Sequence, residues 1–246
     1  MERIGTLKRL RRYPVKGMAG EDIEAGRVTF AGLLGDRVYA FVDAEGPAKF
    51  PWMTGRKGRD MILFRPRLLN ELPLGPEVFS TDYSAEVVTP EGETARIDDP
   101  AFTRSLEERY NRKLGLRHSE RSMMDTAPVS VMGLATVRAL SEETGMALNP
   151  LRFRTNFYVE WENDEPYFED GLVGKEILIG ECATIRIVKK DQRCIMITLD
   201  PETAEQSPVV FETVARNHSS CLGVYGAVLR EGIVRANDAV YLIQAE

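Results

Sequence analysis

Short apolar runs separated by turn residues dominate this chain, and their spacing predicts strands more often than helices. The continuous run Val38-Tyr39-Ala40-Phe41-Val42 ends at the polar turn 43–46, which is typical of a strand buried on both faces. Strand-like residues on either side of the turn Pro90–Glu93 predict a hairpin over 86–97. Further strands are predicted at Phe157–Val159, Ala183–Val188, Cys194–Leu199, Gly223–Leu229 and Ala239–Ile243.

Helical periodicity is strongest just after residue 98. Asp99 is a good N-cap, Pro100 suits the first helical position, and Gly115 is expected to end the helix. Its apolar residues recur every fourth position and share one face: Phe102, Leu106, Tyr110 and Leu114.

Two more helices are predicted, one from about Ser130 to Glu143 and a short one over Pro208–Arg216 with Ser207 as its cap. Many short strands and few helices indicate a mainly β protein with a few helices (α+β), folded as a barrel or a sandwich. A closed barrel is favoured because it leaves no unpaired strand edges. The polar interval at 98–100 is the candidate domain boundary, so we predict β modules at 1–98 and 99–246.

Composition argues against several classes of protein, among them nucleic-acid-binding, disulfide-rich and membrane-spanning proteins. With 246 residues, 43% hydrophobic, the chain can bury a sizeable core, and its net charge of −6 argues against nucleic-acid binding. Three cysteines are too few for a disulfide framework or for a four-thiolate iron–sulfur cluster. No signal-peptide pattern and no apolar run of about 20 residues is present, so we expect a cytoplasmic protein without membrane contact. His118 and His218 lack the spacing of zinc ligands.

Cys194 is the most informative candidate for chemistry. It follows Arg193, and a neighbouring cation favours the thiolate, which is the reactive and metal-binding form of cysteine. Soft thiolate ligands suit soft or high-valent transition metals. The alternative is that Cys194 is a small buried hydrophobic residue of a strand. Cys182 and Cys221 are assigned to structure.

Several polar residues could bind an anion or a polar ring. Lys16 and Gly17, with Arg37, offer charge and close backbone approach to a phosphate, although each cation could be an ordinary surface residue. Asp125 and Thr126 could cap the second helix or hydrogen-bond a heterocycle. Arg154 and Asn156 would share one face of an extended chain. The acidic stretch 162–170 is expected to be a solvated loop.

Five motifs occur in one order along the chain: Tyr-Pro-Val-Lys-Gly at 13–17, Gly-Asp-Arg at 35–37, Asp-Thr-Ala-Pro at 125–128, Arg-Phe-Arg-Thr-Asn at 152–156, and Arg-Cys at 193–194 before Thr-Leu-Asp-Pro-Glu-Thr. Together they resemble the MOSC family, named for the C-terminal domain of molybdenum cofactor sulfurases. The resemblance implies a MOSC-type β-barrel preceded by the smaller N-terminal MOSC β module. The layout is similar to that of the amidoxime-reducing and related N-oxo reductases.

The resemblance also implies a molybdenum–molybdopterin cofactor between the two β modules. Cys194 matches the cysteine that binds molybdenum, and Arg193 the residue beside it, so both are expected to be catalytic. Lys16 and Arg37 match residues that hold the cofactor phosphate, while Gly17 stands where a serine is common. The positions that hold the pterin and its tail are matched by Asp125, Thr126, Arg154 and Asn156.

Three hypotheses for function follow. The first is an oxidoreductase that reduces N-hydroxylated or N-oxide small molecules with electrons from a separate donor protein, because three cysteines cannot hold a cluster of their own. The second is a carrier of sulfur, as a persulfide on Cys194, or of the cofactor itself. The third is a non-catalytic small-molecule binding barrel. The sequence leaves the substrate, the donor and the oligomeric state open.

Overall fold

A computed structural model gives the structure of residues 1–70, 72–75 and 83–244. Within these ranges the chain forms sixteen strands, three α-helices and four short 3-10 helices. The strands are β1 (Glu2–Arg12), β2 (Glu21–Asp22), β3 (Ala25–Thr29), β4 (Gly32–Leu33), β5 (Tyr39–Asp43), β6 (Arg65–Leu68), β7 (Ala85–Val88), β8 (Thr94–Arg96), β9 (Leu114–His118), β10 (Val129–Gly133), β11 (Phe157–Trp161), β12 (Glu176–Ile179), β13 (Ala183–Gln192), β14 (Cys221–Arg230), β15 (Gly232–Arg235) and β16 (Ala239–Ile243). The α-helices are α1 (Pro100–Tyr110), α2 (Leu134–Thr144) and α3 (Pro208–Asn217), and the 3-10 helices are Arg59–Leu63, Pro150–Phe153, Phe168–Leu172 and Ile195–Thr198.

A closed barrel forms the larger part of the molecule. Its strands follow the order β11-β10-β14-β13-β12-β16-β1, and β1 pairs back with β11 to close the ring. Most neighbours run antiparallel, and β10 and β11 run parallel. This barrel confirms the mainly β fold class expected from the many short strands. Its closure leaves no unpaired edges in this sheet. Apolar residues that point inward fill it, among them Leu7, Val131, Phe157, Ile185 and Val224.

Smaller sheets make up the rest of the fold: β15-β3-β4, β5-β9 and β6-β7-β8. The sheets β5-β9 and β6-β7-β8 enclose a second core in which Phe41, Phe64 and Phe102 meet edge to face, with ring centroids 5.9 and 6.1 Å apart. The buried residues of β15-β3-β4 pack into the barrel core instead. Strand β1 belongs to the barrel, and β3 pairs with β15 near the other end of the chain. The division of the chain at residues 98 and 99 stays a prediction.

Local signals placed α1 correctly at its start but not at its end. The side chain of Asp99 caps the helix by accepting a hydrogen bond from the amide of Ala101 at 2.7 Å, as predicted. The helix ends at Asn111, whose left-handed backbone (φ 49°) turns the chain. The predicted extension to Gly115 is therefore wrong, since Leu114 begins β9 and pairs with Asp43.

Tertiary contacts override the local pattern elsewhere. The predicted start of the second helix at Ser130 is wrong, because 129–133 form the buried strand β10. Asp125 and Thr126 precede this strand and so do not cap α2. The predicted strand Cys194–Leu199 is also wrong: most of it is the 3-10 helix Ile195–Thr198, closed by a 2.7 Å bond from the Thr198 hydroxyl to the Ile195 carbonyl.

Two further predictions concern burial. Helix α3 has Val210 and Val214 fully buried, as predicted, although the side chain of Ser207 makes no capping bond. The acidic stretch at 162–170 is not entirely a solvated loop. Glu169 is fully buried, and its carboxylate accepts bonds from the Gly133 amide, the Thr136 hydroxyl and the Trp161 indole. No helix in the described ranges has the length and apolar character needed to cross a membrane.

Candidate functional site

One cavity of about 520 Å³ brings together the candidate residues from distant parts of the sequence. Eight of the nine predicted site residues line it: Lys16, Gly17, Arg37, Asp125, Thr126, Arg154, Arg193 and Cys194. We call it the Cys194 cavity. Its walls come from the segments after β1, around Thr54, before β10, after the 3-10 helix 150–153 and after β13.

The backbone of Lys16 is fixed by a hydrogen bond, and its side chain is buried. Its amide donates to the Tyr39 carbonyl at 2.8 Å, which extends the bridge between Val15 and Tyr39. Its side chain is nearly inaccessible, and Nζ donates to Asp125 Oδ1 at 2.6 Å and to the Met123 carbonyl at 2.7 Å. Burial lowers the pKa of Lys16 despite the opposing effect of Asp125. Lys16 is thus a desolvated cation whose counter-ion is a largely exposed carboxylate.

Gly17 occupies a backbone conformation that favours glycine. Its φ is +88°, and a Cβ here would lie 2.9 Å from the Met53 carbonyl oxygen and 3.0 Å from Thr54 Cα. A serine side chain at this position would therefore be strained. Gly17 fixes the turn that follows Lys16 and so the place from which the lysine extends.

Arg37 and Arg154 form the cationic floor of the cavity. Arg37 pairs with the fully buried Asp36 and donates from Nη2 to the Arg154 carbonyl at 3.2 Å. Burial alone would lower its pKa, but the charge of Asp36 raises the pKa of Arg37 above its ordinary value. Both guanidinium groups lie over the ring of Tyr13, at 4.9 and 4.7 Å from its centroid.

The backbone conformation that places Arg154 in the cavity differs from the predicted one. It is the C-cap of the 3-10 helix Pro150–Phe153 with φ 55°, so the chain is not extended there and the shared face with Asn156 does not exist. Its Nη1 donates to the Met18 carbonyl at 2.5 Å. Burial lowers the pKa of Arg154 to about 10, because within the described ranges no carboxylate pairs with it directly.

Asn156 lies outside the lining of the Cys194 cavity. It is buried, and its side chain accepts bonds from the amide and hydroxyl of Ser130 and donates to the Arg11 carbonyl at 3.2 Å. These bonds connect β1, β10 and β11. The structure therefore places Asn156 as a support for the strands around the cavity.

Cys194 lies where β13 has ended and the 3-10 helix Ile195–Thr198 begins. Its thiol is half-buried and lines the cavity. The side chain of Arg193 is almost buried and turns toward the fold: Nε donates to the Leu222 carbonyl and Nη1 to the Phe153 carbonyl, both at 2.7 Å. Nη1 also lies 3.0 Å from Asp191 Oδ2. Arg193 thus fixes the backbone around Cys194.

Asp191 and Tyr225 were not identified from the sequence. Both line the cavity, and burial raises the pKa of each above its ordinary value. Asp191 lies near the end of β13, three residues before Cys194, so its closeness to the cysteine in the sequence was the available signal. Trp52, whose ring lies 5.4 Å from Lys16 Nζ, carried no such signal.

The donor set of the Cys194 cavity fits a polar polyanion with a soft metal. Of its described lining residues, seven are cationic and two are carboxylates. Nη2 of Arg193 is buried without a hydrogen-bond partner in the described part of the chain, which is unusual for a charged donor. Cations of this kind bind phosphate, and a half-buried thiol supplies one soft metal ligand. Asp125 and Thr126 lie on the exposed lip, where they can hydrogen-bond a heterocycle.

Comparisons with known proteins find similar sequences and a similar fold. A family model described as the MOSC domain matches residues 118–241, and one described as the MOSC N-terminal beta barrel domain matches residues 4–102. The chain is 25% identical, over 89% of its length, to molybdenum cofactor sulfurases of Drosophila mojavensis and Drosophila grimshawi, and it spans 31% of each. The crystal structure of the YUAD protein from Bacillus subtilis has the same fold, with a TM-score of 0.53, 13% identity and coverage of 99% and 97% of the two chains.

Proposed function

The chain belongs to the MOSC domain family, and from this premise we propose that it binds a molybdenum–pterin cofactor in the Cys194 cavity. We further propose that it uses the cofactor to reduce N-hydroxylated or N-oxide compounds. The single observation that carries the proposal is the meeting of Cys194 with Lys16, Arg37 and Arg154 in one cavity. The curated relatives are named molybdenum cofactor sulfurases, and this name supports the choice of cofactor.

Each residue has a part in holding the cofactor. Cys194 would ligate molybdenum through its sulfur, and Lys16 and Arg37 would pair with the phosphate. Asp125, Thr126 and Arg154 would hydrogen-bond the pterin and its tail, whose polar atoms need partners once they leave water. When bound, the cofactor supplies two-electron redox chemistry.

The pairing of Lys16 with Asp125 suits an exchangeable anion. The side chain of Lys16 is 6% exposed and that of Asp125 is 57% exposed, so the carboxylate can return to water at little cost while the ammonium cannot. An incoming phosphate can therefore replace Asp125 on Lys16. The released Asp125 then lies at the lip with its acceptor oxygens available to a heterocycle.

The groups beside Cys194 orient the site and handle protons. Arg193 bonds to the Phe153 and Leu222 carbonyls and so fixes the thiol's position. Reduction of R–NHOH to R–NH2 and water consumes two electrons and two protons. Asp191 and Tyr225 line the same cavity and can pass protons from water. The electrons would come from a separate donor protein. Three free cysteines suit a reducing compartment, so we place the reaction in the cytoplasm.

A second candidate is a sulfur or cofactor carrier. The relatives' printed name and the half-buried thiol of Cys194 favour it. Here the thiolate of Cys194 would take the outer, sulfane sulfur of a donor protein's persulfide, with the donor's thiolate as leaving group, and pass that sulfur to an acceptor. This role needs the Cys194 sulfur but no reductase turnover.

Metal analysis and turnover discriminate between the candidates. The full chain is expressed in a host that makes the cofactor, its molybdenum is measured, and reduction of benzamidoxime is followed with a chemical electron donor. We expect about one molybdenum per chain and turnover that disappears in Cys194→Ser. Cys221→Ser is the matched control, because Cys221 is half-buried but does not line the cavity.

The other outcomes assign the other roles. A persulfide on Cys194 in the mass spectrum, without turnover of any N-oxygenated compound, would replace the reductase proposal with the carrier. Absence of molybdenum, of persulfide and of any effect of Cys194→Ser would leave a non-catalytic binding barrel.

A further inference from the structure

A second cavity adjoins the Cys194 cavity and is not used by the proposed reaction. It measures about 540 Å³ and lies between the barrel and the small sheet β6-β7-β8. Three residues line both cavities and form the wall between them: Arg152, Arg154 and Met196. Cys194 and Lys16 do not line the second one. We call it the Val88 cavity, after a residue of β7 in its wall.

Apolar side chains supply much of the lining of the Val88 cavity. They come from both parts of the molecule: Ile62, Pro66, Val88, Leu151, Met196 and Leu199. A lining of this kind favours a hydrocarbon or aromatic body over a sugar or a bare inorganic ion, because such a body leaves water when it contacts them.

The charges in the lining do not balance. Of the described lining residues, five are arginines and three are glutamates. Two of the glutamates are already paired inside the protein, Glu21 with Arg12 at 2.8 Å and Glu86 with Arg67 at 2.5 Å. Glu202 accepts a bond from Asn149 at 3.0 Å. The carboxylates are therefore committed to neighbours.

The arginines are less well compensated. Arg11 and Arg152 have carboxylate partners, yet the Nε of each is buried without a hydrogen-bond partner among the described residues. In the same ranges no ion pair joins Arg65 or Arg154 to a carboxylate. A cavity with apolar walls and unpaired guanidinium groups is complementary to an amphipathic anion.

We propose that the Val88 cavity is a binding site for an organic anion with an apolar body, such as an aromatic carboxylate. The carboxylate pairs with Arg65, and the body packs against Val88 and Leu151. This site goes beyond the proposed reaction, because it requires neither molybdenum nor Cys194. Failure of reductase activity would leave it standing.

Calorimetric titration of the full chain with 2-naphthoate and 2-naphthamide tests the proposal. The two probes have the same apolar body and differ in charge, so we expect naphthoate to bind at least about tenfold more tightly than naphthamide. In the sheet register Val88 lies opposite Arg65, so Val88→Glu places a carboxylate beside that guanidinium. It should weaken naphthoate binding about tenfold. Leu229→Glu adds the same charge at an exposed position outside both cavities and should change nothing.

Two further variants locate the bound probe and keep the test independent of folding. Arg65→Gln, at an exposed position, should weaken naphthoate several-fold, whereas Arg117→Gln, also exposed and outside the cavity, should not. Lys16→Met alters only the Cys194 cavity and should leave naphthoate affinity unchanged. Equal affinities for the two probes, no binding of naphthoate, or loss of binding in Lys16→Met in place of Arg65→Gln would each overturn the proposal.

Discussion

Replacement of Arg193 by leucine tests whether this residue acts on the fold around Cys194. The guanidinium is 7% exposed, bonds to the Leu222 and Phe153 carbonyls, and lies 3.0 Å from a carboxylate oxygen of Asp191, which is 5% exposed. Arg193→Leu removes both hydrogen bonds and leaves Asp191 as a buried carboxylate with Tyr225 as its neutral partner.

The expected loss of stability is large. Removing one partner of a buried pair costs about 3–5 kcal/mol, and each bond from a charged donor contributes roughly 1.5–3 kcal/mol. These contributions overlap, so we expect the free energy of unfolding to fall by about 3–5 kcal/mol near neutral pH. Arg186→Leu, in the strand that precedes Arg193 and with a 53% exposed side chain and a 3.5 Å partner, should cost under about 1 kcal/mol.

The loss should depend on pH. Burial raises the pKa of Asp191 above its unfolded value, so the folded state holds the proton more tightly. The contribution of this proton to the free energy of unfolding is greatest below the pKa that Asp191 has in the unfolded chain. It is lost as the pH rises through the pKa that Asp191 has in the folded protein. Removing the positive charge of Arg193 raises the folded pKa of Asp191 further. Arg193→Leu should therefore lose less stability at about pH 5 than at about pH 7.5.

Urea unfolding followed by tryptophan fluorescence measures these differences. The double variant Asp191→Asn/Arg193→Leu should be more stable than Arg193→Leu alone at neutral pH, because it removes the uncompensated charge. A loss below about 1 kcal/mol that is equal at both pH values, with no recovery in the double variant, would refute the reasoning.

Two more predictions follow from buried charges. Lys16→Met should leave the unfolding free energy unchanged or raise it, because it removes a desolvated ammonium while the exposed Asp125 stays hydrated. The molybdenum content of this variant, after expression in a host that makes the cofactor, should fall. A loss of stability with full molybdenum content would contradict the prediction. Glu169→Gln should lower the unfolding free energy by about 2–3 kcal/mol, because its NH2 group would replace one carboxylate oxygen and face the donors now bonded to that oxygen, either the Gly133 amide or the Thr136 hydroxyl and the Trp161 indole. Urea unfolding followed by tryptophan fluorescence measures the loss, and a near-zero change would contradict it.

Local sequence signals predicted the features that depend on neighbouring residues. Asp99 and Pro100 set the start of α1, and Val210 and Val214 set the buried face of α3, because caps and helical periodicity act within one or two turns. Eight of the nine site residues expected from the motif order line the Cys194 cavity, and Asn156 does not.

Features that depend on distant residues were not predictable in this way. Strand β1 carries many arginines and no clean alternation, and its pairing partners lie about 150 and 235 residues further on. The apolar run after Cys194 has the composition of a strand, yet the Ile197 and Thr198 carbonyls accept bonds from Arg152, which no local pattern reveals. The left-handed backbone of Arg154 likewise depends on its place after a 3-10 helix.

The pairing of β1 with β16 has a consequence for synthesis. Residues 2–6 leave the ribosome long before their partners at 239–242 are translated. The ring of strands cannot close before then, and Lys16, which follows β1, cannot take its final place opposite Cys194. Any prosthetic group that needs the closed ring must enter after residues 239–242 have been made, and the edge of β1 that pairs with β16 must stay open in the meantime without aggregating.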